Sequence, residues 1–355
     1  MPKFDHIVLI SDGIRGHYHQ SLGIAEWLVR LGGGELHQPI NVPHLTGLDW
    51  LFKLKIFVHG LTVYDASYAQ NWLYAAGLNI GRTAPRTLFI SAGSSAAPFC
   101  LASAKATGSK SAVVMTPSVL STKPFDYAII PSHDKHDLKD KHVLTTLGAP
   151  NHIYPSELEL IGSNFFAGRE FGGKKIVAVL VGGSDNNYNP DSIWAEDTLG
   201  PLRYIDGIKI LLTTSRRSGK ALDDTIEKMF INDASLGYML ILSKKPRVNA
   251  LTAMMGKATH VLVTEDSVSM VSEAVTAGFR VGLLRVPRRK KFMKQMFGGG
   301  PKRFDDMFEV MKSRNLIVDL GQHPDYVNFL SEPEQKHGQD FNEAKRAAEW
   351  ILEMP

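Results

Sequence analysis

The stretch from Val261 to Leu284, VLVTEDSVSMVSEAVTAGFRVGLL, predicts strand, tight turn, helix, glycine and strand in that order. Val261 to Val263 are apolar and rich in β-branched residues, as a buried strand requires. Ser267 stands at an N-cap position, Val268, Val271 and Val275 fall on one stripe at i, i+3 and i+7, and Gly278 can end the helix. That is a βαβ unit. Its first loop opens at the carboxyl edge of a parallel sheet, where the next helix points unpaired N–H groups and the positive end of its dipole. An anion belongs there. Glu273 points away from the valine stripe and suits a carboxylate accepting hydrogen bonds from ribose hydroxyls while the helix start holds a diphosphate. The same residues equally suit a plain cap and a solvated surface acid, since many α/β proteins contain such units.

Working outward, Lys175 to Val181 is an almost wholly apolar strand that runs into Gly182, Gly183 and Ser184. Ile208 to Leu212 leads to Ser215, Arg216 and Arg217, and Tyr238 to Leu242 leads to Ser243 and Lys244. Each strand of this half delivers glycine, hydroxyl or basic residues at its carboxyl end, the signature of a ligand crevice in an open α/β sheet. The two guanidinium groups have a use in neutralising a diphosphate leaving group. The sequence leaves open which of them points inward.

In the N-terminal half, strands are expected at His6 to Ile10, Glu35 to Ile40, Thr87 to Ile90, Ser111 to Met115, Tyr127 to Ile130 and His142 to Thr145. Ser21 to Leu31 has a helical pattern. Leu45 to Leu78, rich in Leu, Phe, Trp and Tyr, reads as one or two packed helices. Between the first strand and its helix stand Asp12, Gly13, Arg15, Gly16 and His17. The glycines let backbone N–H groups approach a phosphate, and His17 is placed to act as a base on a hydroxyl, with His19 as a competitor. Asp12 could orient His17 or bind an acceptor hydroxyl, and Arg15 could pair with an acceptor phosphate. Gly93, Ser94 and Ser95 form a second glycine and serine turn on this side.

A chain of 355 residues exceeds what one hydrophobic core usually supports, so two domains are expected. The composition shift at Ala167 to Lys175 sets the boundary: an acceptor-side domain at 1–167, a donor domain at 174–335, and a helix at 340–354 packing back towards the first. That helix carries Ala344, Ala347, Ala348 and Ile351 on one face. With 44% apolar and 21% charged residues, disorder is not indicated. The single cysteine, Cys100, excludes an intrachain disulfide and a cysteine-based zinc cluster and fits a reducing, cytoplasmic setting. Ile7 to Ile10 reads as a buried strand rather than a signal peptide, and no stretch approaches the ~20 apolar residues of a membrane span.

Net charge is a modest +4, yet residues 285–303 carry Arg285, Arg288, Arg289, Lys290, Lys291, Lys294, Lys302 and Arg303 without one acidic residue. This run reads as a basic lip over an anionic ligand, a peripheral contact with acidic lipid, or a plain solvated face. Nucleic acid is not expected, because no recognised binding motif is present. No two aspartates are separated by a single residue, and the phosphate loop with Gly-Lys-Ser/Thr and the Gly-x-Ser-x-Gly elbow are both missing. No metal and no cofactor are expected.

Asp12 to His17 followed by Gln20, Leu22, Gly23 and Ala25, the turn Val181 to Ser184, Thr214 to Arg217, and Thr264 to Ser267 with Met270, Ser272, Glu273 and Gly278 resemble the mitochondrial-fission Elm (elongated mitochondria) family across nearly the whole chain. That family is placed with the GT-B glycosyltransferases. The resemblance implies two Rossmann-like doubly wound parallel-sheet domains facing across a cleft. The segment from Ser267 to Gly278 is also similar to the donor site of the bacterial N-acetylglucosaminyltransferase that completes the lipid-linked peptidoglycan precursor, which implies a ribose-holding role for Glu273. Arg15 and fewer glycines set the N-terminal loop apart from that enzyme.

The expected activity is metal-independent transfer of a sugar from a nucleotide-diphosphate-sugar to a hydroxyl acceptor, anionic or lipid-linked. Catalysis falls to His17 and Asp12. Donor binding falls to Gly182, Gly183, Ser184, Ser215, Arg216, Arg217, Glu265, Asp266, Ser267, Met270 and Glu273, and acceptor binding to Gly13, Arg15, Gly16, Gly93, Ser94 and Ser95. The rivals are a nucleotide-sugar 2-epimerase on the same fold and a non-catalytic membrane-associated adaptor.

Overall fold

Successive side chains of a strand leave opposite faces of its sheet, and in β1 (His6–Ser11) both faces are buried. Ile7 and Leu9 enter one core, while Val8 and Ile10 enter another. In β4 (Thr87–Ala92), Leu88, Ile90 and Ala92 join the first core and Phe89 the second. A sheet apolar on both sides needs helices on both, and a parallel sheet with crossovers provides them.

The structure is a computed structural model that describes residues 1–42, 65–80, 86–118, 120–134, 140–172, 175–245, 250–289, 302–333 and 341–355. The remaining strands are β2 (Glu35–Leu36), β3 (Ile40–Asn41), β5 (Lys110–Val114), β6 (Tyr127–Pro131), β7 (Val143–Thr146), β8 (Lys175–Val181), β9 (Ile208–Thr214), β10 (Leu236–Leu240), β11 (His260–Thr264), β12 (Val281–Leu284) and β13 (Ile317–Gly321). The helices named below are α1 (Arg15–Gly32), α2 (Ala66–Ala75), α3 (Ala97–Thr107), α4 (Leu158–Phe165), α5 (Lys220–Phe230), α6 (Leu251–Lys257), α7 (Val268–Thr276), α8 (Lys302–Ser313), α9 (Tyr326–Ser331) and α10 (Glu343–Glu353).

Met1–His152 together with Asn342–Pro355 form one compact unit. Its parallel sheet runs β2-β1-β4-β5-β6-β7, with β3 also on β1. The expected strand at Glu35 to Ile40 is broken into two pieces along one edge of β1: His6 pairs with Glu35, whereas Ile10 pairs with Ile40, a slip of one residue. α1 and α10 cover the first face, Ile24, Ala25 and Leu28 meeting the stripe Ala344, Ala347, Ala348 and Ile351. α2 and α3 cover the second. Residues 45–64 of the expected aromatic helical region lie outside the described residues.

Ile153–Phe341 form the other unit, whose sheet runs β10-β9-β8-β11-β12-β13. Counted within the unit, that is the order 3-2-1-4-5-6 of the doubly wound nucleotide-binding fold. Strand β13 completes the edge; its mixed sequence around Asp319 gave no strand signal. α4 precedes the composition shift at 167–175 and packs against α6 in this same unit. The two helices meet at glycines. A Cβ on Gly256 would collide with the Leu158 carbonyl, and one on Gly162 would press on the backbone of α6.

Gly256→Ala should therefore force the two helices apart and lower unfolding stability by about 1–3 kcal/mol. Urea denaturation checks this; the gain usual when a helical glycine becomes alanine would contradict the packing.

Candidate functional site

In an open α/β sheet, ligands bind beyond the carboxyl ends of the strands, where the chain reverses its direction of winding. The first unit reverses between β1 and β4, the second between β8 and β11. Asp12 to His17 and Gly93 to Ser95 follow β1 and β4. Gly182 to Ser184 and Glu265 to Ser267 follow β8 and β11. The expected residues thus gather at two switch points, one in each unit.

In the first unit, His17 Nδ1 donates to Asp12 Oδ2 at 2.9 Å. A carboxylate on Nδ1 fixes the proton there and leaves the Nε2 lone pair as the base. Asp12 is buried, which by itself would raise its pKa, but the bond and charge of His17 and the Ile14 amide outweigh this and hold it below the ordinary value. Gly93, at φ +80°, lies under the imidazole, and a Cβ there would strike the ring. Gly93 therefore seats His17.

Not every amide of this loop is available to a phosphate. Gly13 N–H donates to Ser11 Oγ at 3.2 Å and Ile14 N–H to Asp12 Oδ1 at 3.1 Å. Gly13 itself, at φ +76°, shapes the turn. Helix α1 then starts without a side-chain cap, so the first-turn amides from Arg15 and Gly16 onward are the ones left for an outside acceptor. Ser94 is engaged with Ser118, Oγ to Oγ at 2.6 Å, while Ser95 is exposed. His19 packs edge-on against His152 at 4.3 Å, and burial, with His152 and Arg15 nearby, lowers its pKa to about 4.

The second unit corrects the expected phosphate turn. Gly182 N–H donates to Thr264 Oγ1 at 2.7 Å, Gly183 N–H to Asp266 Oδ2 at 2.6 Å, and Ser184 N–H to the Arg217 carbonyl at 3.0 Å. All three amides are spent inside the protein. The glycines are there for space: a Cβ on Gly182 would overlap the Asp266 carboxyl, and one on Gly183 the backbone of Arg217 and Ser218. Asp266 accordingly fills the position an anion would take. Burial pushes its pKa up to about 6, against the opposing pull of Gly183 N–H, Thr264 and Arg217.

Glu265 is likewise committed within the protein. Only 1% exposed, it accepts from Arg285 Nη1 at 2.7 Å, Arg288 Nη2 at 3.0 Å and Val286 N–H at 3.0 Å. Arg285 also grips Asp319 through Nη2 at 2.6 Å, and Arg288 donates to Asp305 at 2.6 Å. Hence Glu265 locks β11 to the neighbouring strands rather than facing a ligand, and the start of the basic run 285–303 has carboxylate partners. Residues 290–301 of that run lie outside the described residues.

The other expected donor-side residues lie on α7 and on the loop after β9. Ser267 occupies the N-cap position of α7 without making the expected side-chain bond, so the first-turn amides lack a side-chain acceptor. Met270 and Glu273 are half-buried on this helix, while Val271 and Val275 are buried. Gly278, at φ +96°, ends the helix, with Phe279 N–H on the Ala274 carbonyl at 3.1 Å. Arg217 reaches Asp266 at 3.4 Å and Asp185 at 3.7 Å, and Arg216 is exposed. Ser215 is buried and accepts from Arg217 N–H at 3.1 Å. Sequence reasoning missed Asp223, which is fully buried and accepts from Ser218 Oγ at 2.6 Å and from Ser243 Oγ, tying the β9 and β10 loops together. An acid in the first turn of α5, beside Gly219, was the signal available.

Two Rossmann-like parallel sheets, each with its polar loops at the switch point, place the chain in the α/β class that includes GT-B proteins. It belongs to the mitochondrial fission ELM1 family, whose family model matches residues 15–354. Among curated proteins, none matches the chain by sequence. Solved structures with a similar chain path include the Staphylococcus aureus MnaA–UDP co-structure, at 12% identity and TM-score 0.48 over 98% of this chain and 95% of that one. A UDP-GlcNAc 2-epimerase from Neisseria meningitidis bound to UDP-GlcNAc gives 10% and 0.47, covering 98% of both chains. A UDP-glucosyltransferase from Polygonum tinctorium gives 9% and 0.49, again covering 98% of both. At such identities and scores, these likenesses speak to neither activity nor ligand. Among the described residues, no helix is long and apolar enough to cross a membrane.

Asp266 provides a test by pH. Its folded pKa of about 6 exceeds the ordinary 3.8, so between about pH 4 and 6 the folded state keeps a proton that the unfolded state has lost, and stability falls as pH rises. Asp266→Asn should remove that loss: its advantage over the natural protein grows from pH 4 to 6 and levels off above, at no more than about 3 kcal/mol. Thermal denaturation at stepped pH reads it, and a difference that does not vary with pH would show that the carboxyl is not the group responsible.

Proposed function

We propose that the protein is a glycosyltransferase that moves a sugar from a nucleotide-diphosphate-sugar to a hydroxyl acceptor. The observation that carries this reading is the start of α7: an uncapped helix terminus at a switch point, immediately after β11, with Arg217 held on the adjoining loop by Asp266. A helix start and a guanidinium stabilise the charge that develops on a departing diphosphate. In this reading the diphosphate sits on the first-turn amides of α7 rather than in the Gly182 turn, and Glu273 accepts from the ribose. Arg216 and Ser215 border the same place. In the first unit, His17, oriented by Asp12, takes the proton of the acceptor hydroxyl through Nε2, and the first-turn amides of α1 with Arg15 receive an anionic group of the acceptor.

The adaptor reading draws on the basic run 285–303, two of whose arginines, Arg285 and Arg288, already have carboxylate partners. It has correspondingly less to stand on. The epimerase reading needs no acceptor, so product analysis with donor alone separates it from transfer.

Nucleotide diphosphates and their sugar conjugates should raise the melting temperature by mass action. Glu273→Ala should weaken donor binding by about 1–3 kcal/mol if ribose hydrogen bonds are lost. Calorimetry decides, and an unchanged affinity would remove Glu273 from the site. His17→Ala should lower turnover roughly 10²–10⁴-fold while donor affinity stays the same. Loss of donor binding in that variant would instead show that His17 is not the base.

A further inference from the structure

At the opposite, amino-terminal edge of the first unit's sheet, three metal-ligating side chains meet that have no part in the proposed reaction. His6 opens β1, Glu35 opens β2, and His37 follows β2. Their positions are fixed by the backbone: His6 pairs in register with Glu35, Glu35 N–H donates to the Asp5 carbonyl at 2.9 Å, and His37 N–H donates to the Ile7 carbonyl at 2.9 Å. His6 Nδ1 lies 2.7 Å from His37 Nε2, and Glu35 Oε2 lies 3.9 Å from that same His37 nitrogen. All three donor atoms fall within 4.8 Å of one another.

We propose that His6, Glu35 and His37 form a binding site for a divalent transition cation of Zn²⁺ type. Two neutral imidazoles and one carboxylate are the donor set that such an ion prefers over Mg²⁺, which selects oxygen ligands. Two imidazole nitrogens at 2.7 Å must share a proton, one donating and the other accepting. A cation takes that proton's place, and the proton moves to the other nitrogen of the ring that carried it, so both imidazoles stay neutral. Bonds of about 2.0–2.1 Å at a tetrahedral angle would place the two nitrogens about 3.3 Å apart. The rings then need to separate by only about half an ångström, while the Glu35 oxygen closes in by about half an ångström on His37 and by up to about 1.5 Å on His6. Room for this exists, because the His37 side chain is 37% exposed and that of Glu35 is 69% exposed, while the strands behind them stay fixed. Three protein ligands leave the fourth position to water.

The test uses chelator-treated full-length protein and Zn²⁺ alone at pH 7.5, by calorimetry in two buffers of different ionisation enthalpy. One saturable site is expected, with little net proton release, because both imidazoles are neutral before and after binding. His37→Gln should weaken binding at least tenfold, and Glu35→Gln, on the exposed edge where folding is not at stake, should weaken it severalfold. Mg²⁺ should not compete. Absence of saturation below 100-fold molar excess, equal binding in the Glu35 and His37 variants, or displacement by Mg²⁺ would each overturn the assignment. None of these outcomes bears on donor binding, so the two readings stand or fall separately.

Discussion

The pairing of β8 with β11, Leu180 beside Val263, sets the loops that leave those strands next to each other. What joins them is a buried carboxylate: Asp266 accepts from Gly183 N–H and holds Arg217. Buried backbone amides need acceptors, and here Thr264, Asp266 and the Arg217 carbonyl supply all three of them. The turn is thereby rigid and closed. The glycine turn has nothing left to donate to a ligand.

The first unit also has a switch point beside its first strand, with a different division of labour. There the acid after the first strand, Asp12, holds an imidazole instead of a glycine amide, and the glycine across the switch point, Gly93, gives the ring its place. One arrangement holds an imidazole, while the other secures a guanidinium, so each loop has one acid that positions a side-chain nitrogen.

Much of this architecture was readable in the sequence. Short, almost continuously apolar runs ending in glycine and hydroxyl residues located the central strands, and the stripe Ala344, Ala347, Ala348 and Ile351 defined the last helix. Strand β13 escaped because an edge strand is half solvated and breaks the apolar pattern at Asp319. The slip between β2 and β3 escaped because register belongs to the pairing, not to either strand. At the site, residue type announced where polar groups gather but not what they face. Gly182 and Gly183 look the same in sequence whether they admit a phosphate or make room for Asp266 and Arg217. Glu265 and Asp223 illustrate the same limit, since an acid in a loop gives no sign of being buried among arginines or serines.

The two acids that precede α7 pose a problem of electrostatics that the fold eases by pairing them with arginines. An unpaired carboxylate about 5 Å from a bound anion, at an effective dielectric near 20, opposes binding by about 3 kcal/mol. A helix terminus contributes only about 0.3–2 kcal/mol in favour, so a single uncompensated acid would close the site. Glu265 is matched by two guanidinium groups, Arg285 and Arg288, whose charges are stabilised in turn by Asp319 and Asp305. Asp266 is answered by Arg217 and by burial that makes its charge costly. Across the whole cluster Glu265, Asp305 and Asp319 share Arg285 and Arg288, and Asp266 shares Arg217 with Asp185, so these pairings reduce the negative charge ahead of α7 without cancelling it.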